Sequence, residues 1–455
     1  MRIPKRSPMQ RATADAPNAL GHKSEQIMGC PVNLDEVDLF SPGAQEYWFD
    51  SYKLLHDEAP VHKIPGEGAI PGSDAYILTK YEDIAMVVRD PETFEFYNAA
   101  EGDEAAQEIF REKGFGTITD TWDTLRPTLE EHKRHRMELT DPWVALPAAE
   151  RHTPMITQAA NDLMDRWIDK GAVEFVKGFA APLPQTVITA ILGFPLEDMP
   201  KTRIWEEEQV KRFVYGFSHK NLLTPEQEKA NAEALVAFQH YIGEQIEDKR
   251  QNPKDDMITF LLNVEYGNDN RHLSDAEIAS VVYGMHIGGN ETTQYALTAE
   301  AMLLAQQPEL AEELRADRSK VRFFVEEALR LYAPTQGLST RVVMKDIELR
   351  GVQIPRGSML HLRYGAANRN PELCPAAESI DLTRKNPGRH LTFSMGPRVC
   401  PGAGLSRLEQ NIAVNVMLDR LDNLRLAQEK NPLTHQPGIM LGLWELHLEF
   451  DERGG

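Results

Sequence analysis

A single cysteine lies in a loop whose neighbours would present its sulfur and favour its ionised form. Cys400 stands within the segment FSMGPRVCPG at 393–402, where two glycines and two prolines shape a tight turn. Arg398 places a cation two residues before the sulfur, and a helical pattern begins after Pro401. Because amides at a helix N-terminus favour an anion, we expect a thiolate that binds a metal. The alternative is an inert buried cysteine.

An acid and a hydroxyl lie inside the longest apolar helical pattern of the chain, at 278–304. Gly288 and Gly289 stand side by side in its middle, although each glycine in a helix costs about 1 kcal/mol relative to alanine. Such a cost indicates that something must approach the backbone closely. Glu291 and Thr292 follow shortly after and supply the parts of a proton relay. The alternative is a helix kink with a solvated glutamate.

These two segments together resemble the cytochrome P450 family, most closely its soluble bacterial type, which includes the camphor hydroxylase. The pattern Phe-x-x-Gly-x-Arg-x-Cys-x-Gly matches the family's haem-binding loop, and 288–292 matches its oxygen-binding segment. The resemblance covers roughly residues 40 to 455. It implies that Cys400 is the fifth ligand to the iron of heme b. It also implies that Thr292 hydrogen-bonds the co-substrate dioxygen and that Glu291 relays protons toward it.

The two propionates of a haem need cations in an otherwise apolar pocket, and candidates lie at matching places. His132 and Arg136 are four residues apart and share one helical face. A solvated basic face is the alternative for this stretch. By resemblance, the cofactor-binding residues are His132, Arg136, Arg341, His390, Phe393, Arg398, Gly402 and Gly289.

Glu327 and Arg330 lie three residues apart in a helical pattern and match the family's buried helix pair, whose role is structural. Many members add a third partner, an arginine followed by an aromatic residue. This chain has Ser379 at that place, and a hydroxyl cannot replace a guanidinium. The third contact is therefore expected to be absent or to come from elsewhere.

The substrate pocket implied by the resemblance is lined by the loop at 97–121, the helical region at 205–217, the glycine-bearing helix and the last part of the chain. Several of its positions are small, which predicts a roomy cavity, and none is basic, which favours a neutral or apolar substrate. The acidic run at 206–208 is predicted to be a solvated face. The expected pocket residues are Gly284, Ile287, Gly288, Gly337 and Met440.

The electron donor must be a separate protein, because 455 residues leave no room for a flavin reductase and no Gly-x-Gly-x-x-Gly follows a strand. By resemblance the donor is an acidic [2Fe-2S] ferredoxin, reduced by a ferredoxin reductase that takes electrons from NAD(P)H. Since the chain carries a net charge of −21, docking requires a local basic patch. We expect Lys133 and Arg134 to form it, with Arg407 as a further candidate.

The expected function is that of a haem-thiolate monooxygenase. Such an enzyme would insert one atom of dioxygen into a small or medium-sized, mostly apolar molecule by hydroxylation or oxidative demethylation. A peroxide-driven peroxygenase is the alternative within enzymes, but it would not need Glu291 and Thr292. A non-catalytic haem-binding protein would explain Cys400 and leave that pair without a purpose.

The elements that must position these residues are mainly helical with a small β portion, an α+β composition. The resemblance places them in a single large domain that encloses the haem. A helix is expected at 45–58, and short strands near Val61 and at 76–78. Further β-branched runs lie at 341–362 and 439–450. Two segments follow from this organisation, a loosely ordered tail at 1–40, with a mitochondrial presequence as the alternative, and the domain at 41–455.

Composition describes a globular protein and excludes several other classes. Hydrophobic residues make up 41% of the chain and charged residues 26%. Three cysteines cannot form a disulfide framework, which points to a reducing compartment. A cytoplasmic location and a monomeric state are expected. The net negative charge argues against nucleic acid or an anionic membrane as a partner. The sequence contains no run of about 18 apolar residues, so it predicts no spanning helix.

Overall fold

Helices dominate the chain, which a computed structural model describes at residues 30–96, 104–212, 223–337, 339–427, 430–431, 433–436 and 438–454. Several begin at a side chain that satisfies a free amide, such as Ser274, whose hydroxyl accepts from the amide of Glu277. The helices are α1 Trp48–Glu58, α2 Tyr81–Arg89, α3 Glu104–Lys113, α4 Ile118–Leu125, α5 Leu129–His135, α6 Asp141–Val144, α7 Leu146–Ala149, α8 Thr153–Asp165, α9 Pro182–Leu192, α10 Met199–Val210, α11 Pro225–Gln251, α12 Met257–Asn263, α13 Asp275–Gly288, α14 Glu291–Gln306, α15 Pro308–Ala316, α16 Val321–Leu331, α17 Tyr364–Asn368 and α18 Ala403–Arg420.

Short strands form small sheets beside the helices. They are β1 Val61–Ile64, β2 Ala75–Leu78, β3 Phe94–Phe96, β4 Ala172–Glu174, β5 Ser339–Val343, β6 Ile347–Leu349, β7 Val352–Ile354, β8 Met359–Leu362, β9 Leu421–Leu426 and β10 His447–Glu452. One sheet has the order β1-β2-β8-β5-β3, in which β2 and β8 run parallel with Ala75 opposite Met359. β10 lies between β4 and β9, and β6 pairs with β7. The expected composition, mainly α with a small β portion, is confirmed.

The predicted strands occur at their expected places with one change. β1 and β2 lie at the predicted positions, and the run at 341–362 contains β5 to β8 in large part. The last predicted run, 439–450, becomes a strand only at His447. Before it, Met440 and Leu443 make single bridges to other segments, so this part crosses the molecule as a loop.

The helical pattern at 278–304 is divided into two helices. α13 ends at Gly288 and α14 begins at Glu291, and between them Asn290 has φ −112° and ψ −81°. Glycine and asparagine are weak helix formers, so an interruption costs little at this point. Glu291 and Thr292 therefore occupy the first turn of a helix and not the middle of one.

The main core surrounds α14, whose residues from Thr293 to Ala305 are all buried. α9, α16 and α18 pack against this helix. The hydroxyl oxygens of Thr293 and Ser406 lie 3.2 Å apart, so the first turns of α14 and α18 meet. The packing therefore brings the acid and hydroxyl of α14 close to the loop that precedes α18.

The packed domain begins before residue 41. Leu39 and Phe40, which the sequence assigned to the tail, are buried, and the carbonyl of Leu39 accepts from Trp48 Nε1 at 3.2 Å. Residues 1–29 of the predicted tail lie outside the described residues. Within the part of the chain that the structure describes, no helix is both long and apolar enough to cross a membrane.

Candidate active site

The cysteine loop holds its sulfur at the start of α18. The amide of Cys400 donates to the carbonyl of Phe393 at 2.9 Å, which closes the loop. The amides of Gly402 and of the next residue point at the sulfur. Gly396 is required where the loop turns, because its φ is +73° and a Cβ there would lie 2.9 Å from the carbonyl oxygen of Val88.

Burial raises the pKa of the Cys400 thiol, and it outweighs the opposite effects of the loop amides and of the Arg136 and Arg407 guanidinium groups. The sequence predicted that the helix N-terminus would keep this sulfur ionised, and desolvation changes that expectation. A bound metal ion deprotonates its thiol ligand outright. The sulfur is therefore suited to metal ligation more than to acting as a free nucleophile.

An internal cavity of about 480 Å³ adjoins this sulfur. α13 forms part of its wall, and a Cβ added at Gly284 or Gly288 would meet no atom within 4 Å, so both glycines leave open space. Segments 97–103 and 213–217 of the predicted lining lie outside the described residues. The predicted residues that line the cavity are Gly284, Ile287, Gly288, Gly289, Glu291, Thr292, Arg341, Phe393, Arg398, Cys400, Gly402 and Met440.

Positive charges gather around His132 beside the cysteine loop. Desolvation and the nearby Arg398, Arg126 and Arg136 lower the pKa of the buried imidazole to about 3. The carbonyl of Pro397 lies close to the ring, yet neither ring nitrogen makes a hydrogen bond of ordinary geometry. Buried polar groups are normally hydrogen-bonded, so the unpaired ring nitrogens of His132 and the surrounding positive charge indicate a site for an anion.

The arginines beside His132 differ in how far the protein already uses them. Arg136 pairs with Asp141 at 3.1 Å and donates to the carbonyl of Val399 at 2.6 Å, so it fastens the cysteine loop. In the described structure, the buried Nε atoms of Arg126 and Arg398 make no hydrogen bond. The guanidinium groups of Arg126 and Arg398 can therefore donate hydrogen bonds to a bound anion more readily than that of Arg136 can.

Arg126 was missed by sequence reasoning. Its guanidinium lies over the Trp122 ring at 3.9 Å, and desolvation together with Arg398 lowers its pKa to about 9. No pattern in the sequence marks it, because it directly follows α4 whereas His132 lies on α5. The approach of the two side chains depends on the turn between these helices.

Two further arginines, Arg341 and Arg398, line the cavity and add positive charge to its wall. Their guanidinium carbons lie 5.2 and 5.8 Å from the ring centre of Phe96, and burial lowers the pKa of both. Together with Arg126 and His132 they form what we call the basic cluster. Of these four residues, Arg341 and Arg398 line the cavity, and the positive charge of the cluster suits the two carboxylates of the predicted haem.

The acid and hydroxyl of α14 lie in the wall of the same cavity. Thr292 Oγ1 donates to the carbonyl of Gly288 at 3.1 Å, across the interruption between α13 and α14. The Tyr295 hydroxyl contacts the carboxylate of Glu291 and lies 2.9 Å from Gln436 Oε1. Burial raises the pKa of Glu291 to about 7, so this carboxyl can exchange a proton near neutral pH.

Comparison with known proteins identifies the family. The family model described as Cytochrome P450 matches residues 78–446. The chain belongs to the cytochrome P450 family. It is 30% identical over 380 residues to the biotin biosynthesis cytochrome P450 of Bacillus subtilis, which covers 84% of this chain and 90% of that protein. It is 27% identical over 419 residues to the 6-deoxyerythronolide B hydroxylase of Saccharopolyspora erythraea, covering 91% of this chain and 98% of that protein.

A solved structure of the family gives the same result for the fold. The crystal structure of P450BioI in complex with acyl carrier protein ligated to hexadec-9Z-enoic acid superposes with a TM-score of 0.77. The two chains are 28% identical, and the match covers 90% of this chain and 99% of that one. The predicted family, fold and enzyme class, a cytochrome P450 monooxygenase, are therefore confirmed, and membership implies a haem cofactor and dioxygen.

The family's buried helix pair is present in α16, and a third partner completes it. The carboxylate of Glu327 and the guanidinium of Arg330 pair at 2.9 Å, and both side chains are buried. Arg384 supplies the third contact, with its Nε 2.7 Å from the same carboxylate. Arg330 also donates to the carbonyl of Ser379 at 2.9 Å. The third contact, which Ser379 cannot make, is thus made by Arg384, five residues later in the chain.

His390 is placed differently from the prediction. Its Nε2 lies 2.9 Å from the carboxylate of Glu326, and its Nδ1 accepts from the amide of Thr392 at 3.3 Å. Both ring nitrogens are used by the protein, which corrects the expectation that His390 binds a propionate. Arg407 pairs with the same Glu326 at 2.6 Å and lies over the Phe393 ring at 4.4 Å. Because Glu326 offsets its charge and its side chain is only 28% exposed, Arg407 is a weaker docking candidate than the exposed Lys133.

Two of the predicted glycines allow close packing. A Cβ at Gly337 would lie 2.6 Å from the guanidinium of the buried Arg363, and Gly337 is not among the described residues that line the cavity. Its small size serves the packing of Arg363 and not the pocket, which corrects its assignment. A Cβ at Gly289 would lie 2.9 Å from Ile188, so Gly289 lines the cavity and also lets α9 approach.

The last turn of α10 and the residues just after it correct two expectations, that the acidic run 206–208 is solvated and that the pocket lining holds no basic residue. Glu206 is buried and Glu208 is half-buried, whereas Glu207 faces solvent, so the acidic run is not a uniformly solvated face. Arg212 lines the cavity, with its guanidinium carbon 5.0 Å from the Phe110 ring centre. The cavity wall therefore contains a cation beyond those of the basic cluster. The expectation of a neutral substrate depended on a pocket lining without basic residues, so that argument no longer holds.

The two predicted docking residues differ in exposure. Lys133 is exposed on α5. Arg134 is 20% exposed and lies between Glu130 and Glu138, at 3.7 and 3.8 Å from their carboxylates. Since these acids offset its charge, Lys133 is the more accessible cation of the pair.

Proposed function

We propose that this chain is a monooxygenase that inserts one atom of dioxygen into a small or medium-sized organic substrate. The reaction is a hydroxylation or an oxidative demethylation of a mostly apolar molecule. The observation that carries the proposal is that Cys400 and the pair Glu291 and Thr292 line one cavity. The relatives named for biotin biosynthesis and for hydroxylation of 6-deoxyerythronolide B support the chemistry of the family and not one substrate.

Each group in the cavity has a role in this proposal. The thiolate of Cys400 would bind the haem iron, the basic cluster would hold the propionates, and Phe393, Gly402 and Gly289, which line the cavity, would adjoin the cofactor. When bound, the haem activates dioxygen, and thiolate donation favours cleavage of the O–O bond. The hydroxyl of Thr292 would hydrogen-bond dioxygen once its proton turns away from the carbonyl of Gly288. Glu291 delivers protons, because a carboxyl with a pKa of about 7 can be protonated and released at neutral pH.

The electrons come from a separate [2Fe-2S] ferredoxin, which a ferredoxin reductase reduces with NAD(P)H. We place its docking site on the face of α5 that exposes Lys133, with Arg134 beside it. The net charge of −21 repels an acidic partner elsewhere, so a local cation must orient the two proteins. The protein acts as a cytoplasmic monomer in this proposal.

The first test is the visible spectrum of the reduced protein with carbon monoxide. We expect a strongly red-shifted Soret band in the wild type and in Cys374→Ser, a matched control at a cysteine that does not line the cavity. The band should be lost in Cys400→Ser. A histidine-type spectrum, or a protein without haem, would contradict the proposal.

Turnover separates the remaining alternatives. Oxygen consumption with ferredoxin, reductase and NAD(P)H is the expected result. Product formation with peroxide alone, and none with the reductase system, would favour a peroxygenase. A thiolate spectrum without turnover under either condition would favour a haem-binding protein that is not an enzyme.

A further inference from the structure

A second carboxyl group is buried next to Glu291. Glu206 lies on α10 with 7% of its surface exposed, and the charge of Glu291 acts on it directly. Asn290, in the interruption between α13 and α14, lies against Glu206. The buried Nδ2 of Asn290 makes no hydrogen bond of ordinary geometry in the described structure. The broken helix thus turns an amide and a carboxyl group toward α10.

Arg203 connects this pair with the surface. It lies one turn before Glu206 on α10, its side chain is 40% exposed, and it pairs with the solvent-facing Glu207 at 3.4 Å. Its charge acts on both Glu206 and Glu291, so it lies near both carboxyl groups while it reaches water. A row of groups therefore leads from the surface to Glu206, then to Glu291 and Thr292 in the cavity wall.

We propose that Glu206 is the outer carboxyl of a two-carboxyl proton path, which takes protons from water beside Arg203 and passes them to Glu291. This inference rests on the proposed function, because it supplies the protons that the reaction consumes. In each transfer a proton leaves the neutral carboxyl of Glu206 and is taken up by the carboxylate of Glu291. Water then reprotonates Glu206, and no electron moves.

The surroundings of the pair favour one shared proton near neutral pH. Burial and the charge of Glu291 raise the pKa of Glu206 to about 8, and burial raises the pKa of Glu291 to about 7. Between these values Glu206 holds a proton and Glu291 can accept one. The other groups that face the pair are Arg203, Tyr295 and Asn290, which favour the ionised forms, and Glu207, which favours the neutral forms.

Infrared absorption of protonated carboxyl groups against pH tests the pair without turnover, in the haem-loaded protein. We expect Glu206→Gln to lose the band with the higher midpoint, and Glu207→Gln, a matched control on the solvent side, to keep both bands. Glu291→Gln should lower the midpoint of the remaining band, because it removes the neighbouring charge. Glu300 and Glu409 are buried acids with raised pKa values and give a constant background.

Kinetics then test the direction of transfer. In Glu206→Gln we expect oxygen consumption with the reductase system to slow by about tenfold or more, with a larger solvent isotope effect and a changed pH profile. Glu206→Asp should recover part of the rate. Wild-type bands, pH profile and isotope effect in Glu206→Gln would overturn the inference. A wild type without the red-shifted carbon monoxide band would overturn the proposed function instead.

Discussion

Replacing Arg384 with methionine measures what the third partner of the buried pair contributes to stability. Its guanidinium donates to both carboxylate oxygens of Glu327, at 2.7 and 3.1 Å, and its side chain is 12% exposed. The change leaves Glu327 paired with Arg330 and bonded to the amide of Asp381. Because a hydrogen bond to a charged group contributes about 1.5 to 3 kcal/mol, we expect Arg384→Met to lower the free energy of unfolding by that amount.

Two comparison variants bracket this value. Glu327→Gln leaves two largely buried guanidinium groups without their anion, so we expect a loss of about 3 to 5 kcal/mol. Arg389→Met is the matched control, since Arg389 is 51% exposed and lies 3.6 Å from the exposed Glu82. An exposed pair of this kind contributes less than about 1 kcal/mol.

The assay is urea unfolding of the haem-loaded protein, followed by far-ultraviolet circular dichroism at fixed protein concentration. Burial raises the pKa of Glu327, but the bonds from Arg330 and Arg384 outweigh it and the net pKa is lowered. The stabilisation is therefore present above the unfolded pKa of about 4.3 and is lost as pH falls through the folded value. An Arg384→Met midpoint equal to that of Arg389→Met at neutral pH would refute the reasoning.

Three further predictions concern the cofactor, the reaction and acid stability. Thr292→Ala should uncouple turnover, so that peroxide release rises relative to product, and unchanged coupling would remove Thr292 from the proton relay. Arg126→Gln should speed haem transfer to an excess of acceptor apoprotein by about tenfold, and wild-type retention would exclude Arg126 from propionate binding. Despite burial, hydrogen bonds from its histidine and arginine partners lower the pKa of Glu326 to about 2. It should therefore contribute on the order of 3 kcal/mol that is lost between about pH 4.5 and 2, and Glu326→Gln should abolish that dependence.

The parts of the site that the sequence predicted are those whose geometry is local. The spacing within the cysteine loop and within the segment at 288–292 determines which groups lie side by side. Arg126 and Arg384 were not predictable, because each reaches its partner across a turn whose path depends on the rest of the fold. Gly284 and Gly337 show the same limit, since smallness does not reveal whether a cavity or a guanidinium fills the space.

The buried acid on α10 could have been found from helical periodicity. A run of three acids indicates solvent, because burial of a charge is costly. Successive residues of a helix, however, point about 100° apart. Glu206 therefore shares a face with the buried Thr202, Trp205 and Gln209, while Glu207 turns outward.

The parallel pairing of β2 with β8 has a consequence for biosynthesis. The hydroxyl of Ser73, just before β2, donates to the carbonyl of Gly357, which lies 284 residues later in the chain. At a synthesis rate of about 5 to 20 residues per second, roughly 15 to 60 s pass before the ribosome delivers that partner. During this delay the inner edge of β2 offers unpaired backbone groups to other nascent chains. Substitutions along β2 should therefore alter the yield of folded protein more than the stability of molecules that have already folded.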